Sequence, residues 1–198
     1  MKIYQLEHLI RAAGSITDEN LILVIGSQSI LAKYPNPPDP LGLSMEADMC
    51  PLAAPEKADQ ISGAIGEITL FQSTHGYYAH GLPPSACPLP EGWQSRLLRH
   101  ENANTRGYVG MCLHPDDLAC SKLAAGRPKD MDFVATMLAH KLVAQERLES
   151  LVQSLKSTEH VQNAERNLPV VLRKAIELVP GSVVLPKPRK SSVNIEGM

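Results

Sequence analysis

The apolar residues at the N-terminus repeat with a helical period. Between residues 3 and 13 they are Ile3, Leu6, Leu9, Ile10 and Ala13. That spacing is typical of one buried helix face. The following stretch, ENLILVIGS, is a short, partly β-branched apolar run that Gly26 stops. The pattern therefore predicts a helix and then a buried strand, and residues 28–33 are expected to open a helix after the turn.

The next apolar pattern has a period of two. In LSMEADMC the apolar residues alternate with polar ones, namely Met45, Ala47 and Met49 with Ser44, Glu46 and Asp48. This alternation predicts a strand with one buried face. Just before it, YPNPPDPLG contains four prolines, which exclude a helix or an internal strand there. Further strands are predicted at GYYAHGL, WQSRLLRHE and YVGMCL, and the first two of these are joined by PPSACPLPEG.

The second half of the chain is mainly helical in pattern. One helix is predicted earlier in the chain, over residues 55–65. In the second half, helices are predicted for HPDDLACSKLAAG, KDMDFVATMLAHKLV, residues 145–155 and residues 168–179. Strands followed by helices indicate an α+β fold, here a mixed sheet with a C-terminal helical section. The expected organisation is an α+β domain over residues 1–143, C-terminal helices over 144–180 and a flexible tail over 181–198.

The bulk composition excludes few classes of protein. The chain has 198 residues and a net charge of −2, which gives no global argument for a nucleic-acid or membrane partner. No apolar run has the length of a bilayer span, and the N-terminal helix lacks the apolar core of a signal peptide, so a cytoplasmic location is expected. The four cysteines form no C-x-x-C pair and are expected to be reduced; a zinc site that combines them with histidines is the less favoured alternative.

Glu46 and Asp48 are the first candidates for chemistry. Side chains two residues apart in a strand point to the same face, so both carboxylates are expected to project together. Their repulsion costs stability unless a cation lies between them, and hard oxygen ligands suit Mg²⁺ or Mn²⁺. The alternative is a solvated strand face that carries two acids.

Two further segments have the residue types that bind phosphate. Gly26 and Ser27 follow a strand and precede a helix, where backbone N–H groups and a hydroxyl suit phosphate oxygens; the alternative is a tight turn with a serine cap. Downstream, Lys122, Arg127 and Lys129 are interleaved with acids and can bring cations to a phosphate. Surface salt bridges around a helix–helix turn are the alternative for these residues.

His75 and His80 flank the pair Tyr77-Tyr78. The two histidines are five residues apart and are expected on opposite faces of a strand. We interpret this stretch as a structural segment of the sheet in preference to a catalytic one.

In combination, these segments resemble the nucleotidyltransferase superfamily, with the DNA polymerase beta-like fold, and among its members the small bacterial proteins related to AbiEii-type toxins. The resemblance covers roughly residues 20 to 140. The matching pieces are Gly26-Ser27, Glu46-Ala47-Asp48, GYYAHGLPP with LPEGW, and HPDDLACSKLAAGRPKD.

The resemblance implies a nucleotidyltransferase-like mixed sheet flanked by helices and a metal-dependent transfer of a nucleoside monophosphate from an NTP. It implies that Glu46 and Asp48 bind Mg²⁺ or Mn²⁺. It also implies that the nucleotide is contacted by Gly26, Ser27, Lys122 and Arg127. An acceptor that is RNA or protein, and a toxin–antitoxin role with an antitoxin-type partner, are further expectations from the resemblance. The alternative is a catalytically inactive binding or regulatory protein with the same fold.

The sequence departs from the family pattern in two places. The proline-rich stretch YPNPPDPLG lengthens the connection between Ser27 and Glu46. Active members of the superfamily also supply a third acid from a neighbouring strand. The best positional candidate is Glu101, at the end of WQSRLLRHE, and we therefore predict Glu101 as the third catalytic carboxylate beside Glu46 and Asp48.

Overall fold

The computed structural model describes residues 1–185, and residues 186–198, which make up most of the predicted flexible tail, lie outside them. Its centre is a mixed sheet. The strands are β1 (Leu21–Val24), β2 (Glu46–Pro51), β3 (Tyr78–Gly81), β4 (Leu98–His100) and β5 (Val109–Cys112), in the spatial order β3-β2-β1-β5-β4. β1 pairs antiparallel with β2 and parallel with β5, β2 pairs parallel with β3, and β4 pairs antiparallel with β5.

Helices flank this sheet and follow it in the chain. They are α1 (Ile3–Thr17), α2 (Ala58–Ile65), α3 (Leu70–His75), α4 (Pro115–Ala125), α5 (Pro128–Ala139), α6 (Gln145–Val152) and α7 (Thr158–Leu178). α1 and α2 pack against the sheet, while α7 packs on α4 and α5. The predicted α+β fold, a mixed sheet with flanking helices and a C-terminal helical region, is confirmed.

One large apolar core joins the sheet to the helices. Its fully buried members include Leu9 of α1, Met49 of β2 and Leu172 of α7. A smaller cluster around Leu23, Ile25 and Cys50 lies on the other face of β1. The C-terminal helices thus share a core with α4 and α5, and the predicted division at residues 143 and 144 stays a prediction.

Three elements differ from the pattern-based predictions. The helix α3 has no counterpart in them, and it ends at His75, which therefore does not share a strand with His80. Within WQSRLLRHE only Leu98–His100 is a strand, and Trp93–Arg96 is a 3₁₀ helix, held by the bidentate pairing of Arg96 with the buried Asp117. The last helix begins at Thr158 and not near 168, with Ser157 as its cap. Its first turns are mostly polar, and only packing against the earlier helices reveals their buried side, which includes Ala164.

In the part of the chain that the structure describes, no helix combines the length and the apolar character that a membrane crossing requires.

Candidate functional site

Three potential metal ligands converge on one face of the sheet. Glu46 and Asp48 project from β2 on the face opposite the buried Ala47. His80 lies in register with Asp48 on the parallel neighbour β3, so its ring projects from the same face. Nδ1 of His80 is 3.3 Å from Oδ1 of Asp48 and 3.4 Å from Oε1 of Glu46.

The electrostatics of this group reflect two acids in a confined space. Partial burial, and then the negative charge of Asp48, raise the pKa of Glu46; the nearby His80 and Lys129 offset part of this effect. A raised carboxyl pKa means that the ionised form of Glu46 lacks sufficient positive partners in the folded protein. An additional cation would therefore stabilise the site.

Gly26 allows the end of β1 to approach Asp48 closely. The backbone N–H of Ile25 donates a hydrogen bond to the carbonyl of Asp48 over 3.1 Å. A Cβ atom at Gly26 would lie 1.8 Å from Oδ2 of Asp48, which is far shorter than any non-bonded contact between two atoms. Ser27 follows directly and begins a short 3₁₀ helix, Ser27–Ala32. The glycine is therefore required by the carboxylate of Asp48, and its φ of −86° involves no unusual backbone conformation.

A second charged group, centred on Asp130, contributes another wall of the site. Asp130 is completely buried. Nζ of Lys122 donates to its Oδ1 over 2.8 Å, and Nε of Arg127 donates to its Oδ2 over 2.5 Å. The Lys122 ammonium also lies over the ring of Phe133, 4.6 Å from its centroid.

The pKa values in this second group show that the charges are paired. Burial lowers the pKa of Lys122, although the charge and hydrogen bond of Asp130 oppose that effect. For Asp130, burial alone raises the pKa, but the hydrogen bonds and charges of Arg127 and Lys122 outweigh burial, and the net pKa is lowered. The lowered pKa of Asp130 favours its charged form, and its contacts with Lys122 and Arg127 pair that charge within the buried group. Arg127 keeps much of its guanidinium exposed and has further N–H donors for a ligand.

These groups line a single cavity of about 440 Å³. The six residues that the family resemblance implies as metal or nucleotide ligands border it, namely Gly26, Ser27, Glu46, Asp48, Lys122 and Arg127. His80 and Lys129 border it as well, and Leu82, Pro88 and Leu118 give it apolar wall area. The cavity combines acids, cations and apolar surface, the mixture that a small charged organic ligand requires.

Cys87 also borders the cavity. Burial, followed by the charge of Asp48, raises the pKa of its thiol to about 11, so the thiol is neutral at physiological pH. All four cysteines are free. Within the described residues, the ligand atoms that lie within 4.8 Å of one another are those of Glu46, Asp48 and His80, without a cysteine.

Glu101 does not join this group, which corrects its prediction as a third carboxylate. It follows β4, and both β1 and β5 lie between β4 and β2 in the sheet. Because β4 is antiparallel to β5, its end lies beside the start of β5, whereas Gly26 lies beyond the opposite end of β1. Glu101 instead pairs with Arg99 on the exposed edge strand, 2.6 Å away.

His80 is the residue that the sequence interpretation missed. The alternation in GYYAHG puts Tyr78 and His80 on one strand face, opposite Tyr77 and Ala79. What the sequence does not contain is the neighbour of that strand. The parallel pairing of β3 with β2 places His80 beside Glu46 and Asp48, and the sequence alone does not show that pairing.

The side chains in this cluster fit a divalent cation by their donor chemistry. Two carboxylates and an imidazole nitrogen are all established metal ligands. Two ligands of one ion at about 2.1 Å are roughly 3–3.5 Å apart, and the separations from His80 to the acids fall in that range.

Comparison with known families assigns the chain. Neither the curated proteins nor the solved structures include a significant match to it. A family model described as nucleotidyltransferase of unknown function, DUF6036, matches residues 2–174, which include every residue that borders the cavity. This chain belongs to that nucleotidyltransferase family.

Proposed function

We propose that the protein is a metal-dependent nucleotidyltransferase that transfers a nucleoside monophosphate from an NTP to an acceptor and releases pyrophosphate. The observation that carries the proposal is the arrangement of charges in one cavity. Glu46, Asp48 and His80 form one group, and Lys122 and Arg127 lie on another wall of the same 440 Å³ cavity. Nucleotide transfer needs both a cation site and positive groups for phosphate oxygens.

In this proposal each group has a defined task. Glu46, Asp48 and His80 hold the divalent ion, Mg²⁺ or Mn²⁺, which when bound neutralises charge on the reacting phosphate. Ser27 offers its hydroxyl and backbone N–H to phosphate oxygens. Arg127 donates its free N–H groups to phosphate, and Asp130 fixes the orientation of that guanidinium.

Lys122 has a more indirect task. The residue is only 8% exposed and its ammonium donates to Asp130, so Lys122 contributes positive potential to the cavity more than a mobile contact. Lys129 is exposed and borders the cavity. Lys129, already a phosphate candidate from the sequence, therefore stays among the proposed phosphate contacts.

The wider role follows from the sequence resemblance alone. An acceptor that is RNA or protein, a toxin–antitoxin function of AbiEii type with an antitoxin-type partner, and a cytoplasmic location are parts of the proposal on that basis. The alternative is a catalytically inactive protein that binds a nucleotide. One observation favours it: the cluster has histidine where active members of the superfamily usually have a third acid.

A nucleotide-binding and transfer assay tests the proposal. The purified protein is incubated with Mg²⁺ or Mn²⁺ and each labelled NTP, with RNA or protein as acceptor, and binding is measured by calorimetry. We expect Asp48→Asn to lose metal-dependent NTP binding and transfer, while the exposed control Asp59→Asn keeps both. Binding without transfer favours the inactive alternative, and the absence of NTP binding to the wild type contradicts the proposal.

A further inference from the structure

The third member of the acid cluster is an imidazole, and this has consequences for the choice of ion. Carboxylates and water suit Mg²⁺, which demands near-ideal octahedral oxygen coordination. Imidazole nitrogen instead suits first-row transition ions, whose affinity for a given site generally rises from Mn²⁺ to Cu²⁺. A mixed set of two carboxylates and one imidazole thus differs in chemistry from an all-oxygen set.

His80 has the geometry of a ligand in this cluster. The same ring nitrogen, Nδ1, faces both acids at 3.3 and 3.4 Å, while the side chain remains 47% exposed. A nitrogen that faces both carboxylates from an accessible position can share one ion with them.

The strand that carries His80 is held firmly. The backbone N–H of Gly81, at the end of β3, donates a hydrogen bond to Oγ of Ser62 on α2 over 2.8 Å. A Cβ atom at Gly81 would lie 1.8 Å from the carbonyl oxygen of Ala58, so strand and helix are in close contact. This packing fixes the backbone of β3 and with it the position of the imidazole relative to β2.

We propose that His80 ligates the ion through Nδ1 and makes the site selective for a transition-metal dication such as Mn²⁺ over Mg²⁺. The inference rests on the metal site of the proposed function and deepens it. It assigns to His80 a specificity-determining role that an aspartate or glutamate at the same position would not have.

Direct measurement of the bound ion tests this assignment without an activity assay. Pulsed electron paramagnetic resonance on the Mn²⁺-loaded protein detects nitrogen nuclei bound to the ion. We expect a ¹⁴N coupling in the wild type and in the control His140→Ala, which changes an exposed histidine at the end of α5. His80→Ala is expected to lose this coupling.

Ion selectivity provides the second measurement. In competition titrations we expect the wild type to prefer Mn²⁺ over Mg²⁺, and His80→Ala to lose about tenfold or more of its Mn²⁺ affinity, as for a lost contact at a metal site. His80→Asp restores an all-oxygen set and should shift the preference back toward Mg²⁺. Circular dichroism confirms that each variant is folded, and the wild-type coupling alone decides the matter if a variant is not.

The outcomes separate this inference from the proposed function. Mn²⁺ that binds in an Asp48-dependent manner but shows no ¹⁴N coupling overturns the role of His80 and leaves a metal-dependent enzyme in place. If no divalent ion binds, or if Asp48→Asn binds as well as the wild type, both the inference and the metal-dependent function are wrong.

Discussion

The charged groups on two walls of one cavity shift the pKa of their carboxyl groups in opposite directions. Around Glu46, two partly exposed acids share a small space, and burial together with Asp48 raises the Glu46 pKa. Around Asp130, one fully buried acid has two cations, and these lower its pKa despite the burial. A buried charge that is completely paired is part of the fold, whereas acids that remain under-neutralised at a cavity are ready for a ligand.

The largest expected effect on stability comes from removing the buried charge of Asp130. Asp130→Asn leaves the buried ammonium of Lys122 without its counter-charge, and removing one partner of a buried pair costs about 3–5 kcal/mol. Urea denaturation measures the loss. The control is Asp132→Asn on the same helix, whose exposed pairing with Lys174 is worth at most about 1 kcal/mol. Equal losses in both variants would contradict the distinction between the walls.

The same pair gives a pH dependence with a defined sign. The folded pKa of Asp130 is lowered, so its contribution to stability is fully present above the ordinary carboxyl pKa and is lost as pH falls through the lowered folded value. Unfolding free energies of the wild type should therefore decline toward acidic pH more steeply than those of Asp130→Asn. Parallel curves would show that other carboxyl groups cause the decline.

An intermediate effect is expected at the contact between Gly26, after β1, and Asp48 of β2. Gly26→Ala introduces a methyl group 1.8 Å from Oδ2 of Asp48, and overpacking of this kind costs about 1–3 kcal/mol. Because the displaced atom belongs to the proposed metal site, Mn²⁺ affinity should fall as well.

Gly63→Ala is the matched control for that substitution. A Cβ atom at Gly63 has no neighbour within 4 Å, and Gly63 lies within α2, where alanine is favoured by about 0.5–1 kcal/mol. Thermal unfolding with and without Mn²⁺ should show a lower midpoint for Gly26→Ala and a higher one for Gly63→Ala. Equal Mn²⁺ responses in the two variants would exclude a specific role for the Gly26 contact.

The smallest effect has the opposite sign. The folded pKa of Glu46 is raised, so its contribution to stability is present below the ordinary carboxyl pKa and is lost as pH rises through the raised folded value. At neutral pH the ionised side chain destabilises the metal-free fold. Since the group is partly exposed, Glu46→Gln should raise the melting temperature in EDTA by only about 1–2 °C.

Added Mn²⁺ should reverse that order, because the wild type gains stability from the bound ion and Glu46→Gln gains less. The exposed Glu177→Gln serves as control and should follow the wild type in both conditions. A lower melting temperature for Glu46→Gln in EDTA would mean that the two acids do not repel each other in the way their pKa indicates.

The sequence predicted best where the pattern was local. The periodic apolar face of α1 and the alternation in β2 each fix an element and its buried side without knowledge of any partner, and both are present in the structure. The order of strands is not local. Glu101 lies away from the acids with which it is predicted to act, and the sequence does not place His80 beside them, because sheet order and parallel register join residues that are distant in the chain.

The site was only partly predictable for the same reason. The residue types at Glu46, Asp48 and Arg127 indicated charge chemistry, but nothing in the segment around Lys122 separates a surface salt bridge from a buried pair. Complete burial of Asp130 decides that question, and burial depends on the packing of α4 and α5 in the folded chain.

The contact between Gly26 and Asp48 also bears on how this sequence can change over generations. A larger residue at position 26 is incompatible with the present side chain at position 48, since the two would occupy the same volume. Position 26 can therefore accept a larger residue only after the side chain at position 48 has become smaller or has moved. We expect saturation libraries to tolerate larger residues at position 26 mainly in clones that carry a smaller side chain at position 48. Such clones lose the carboxylate of Asp48.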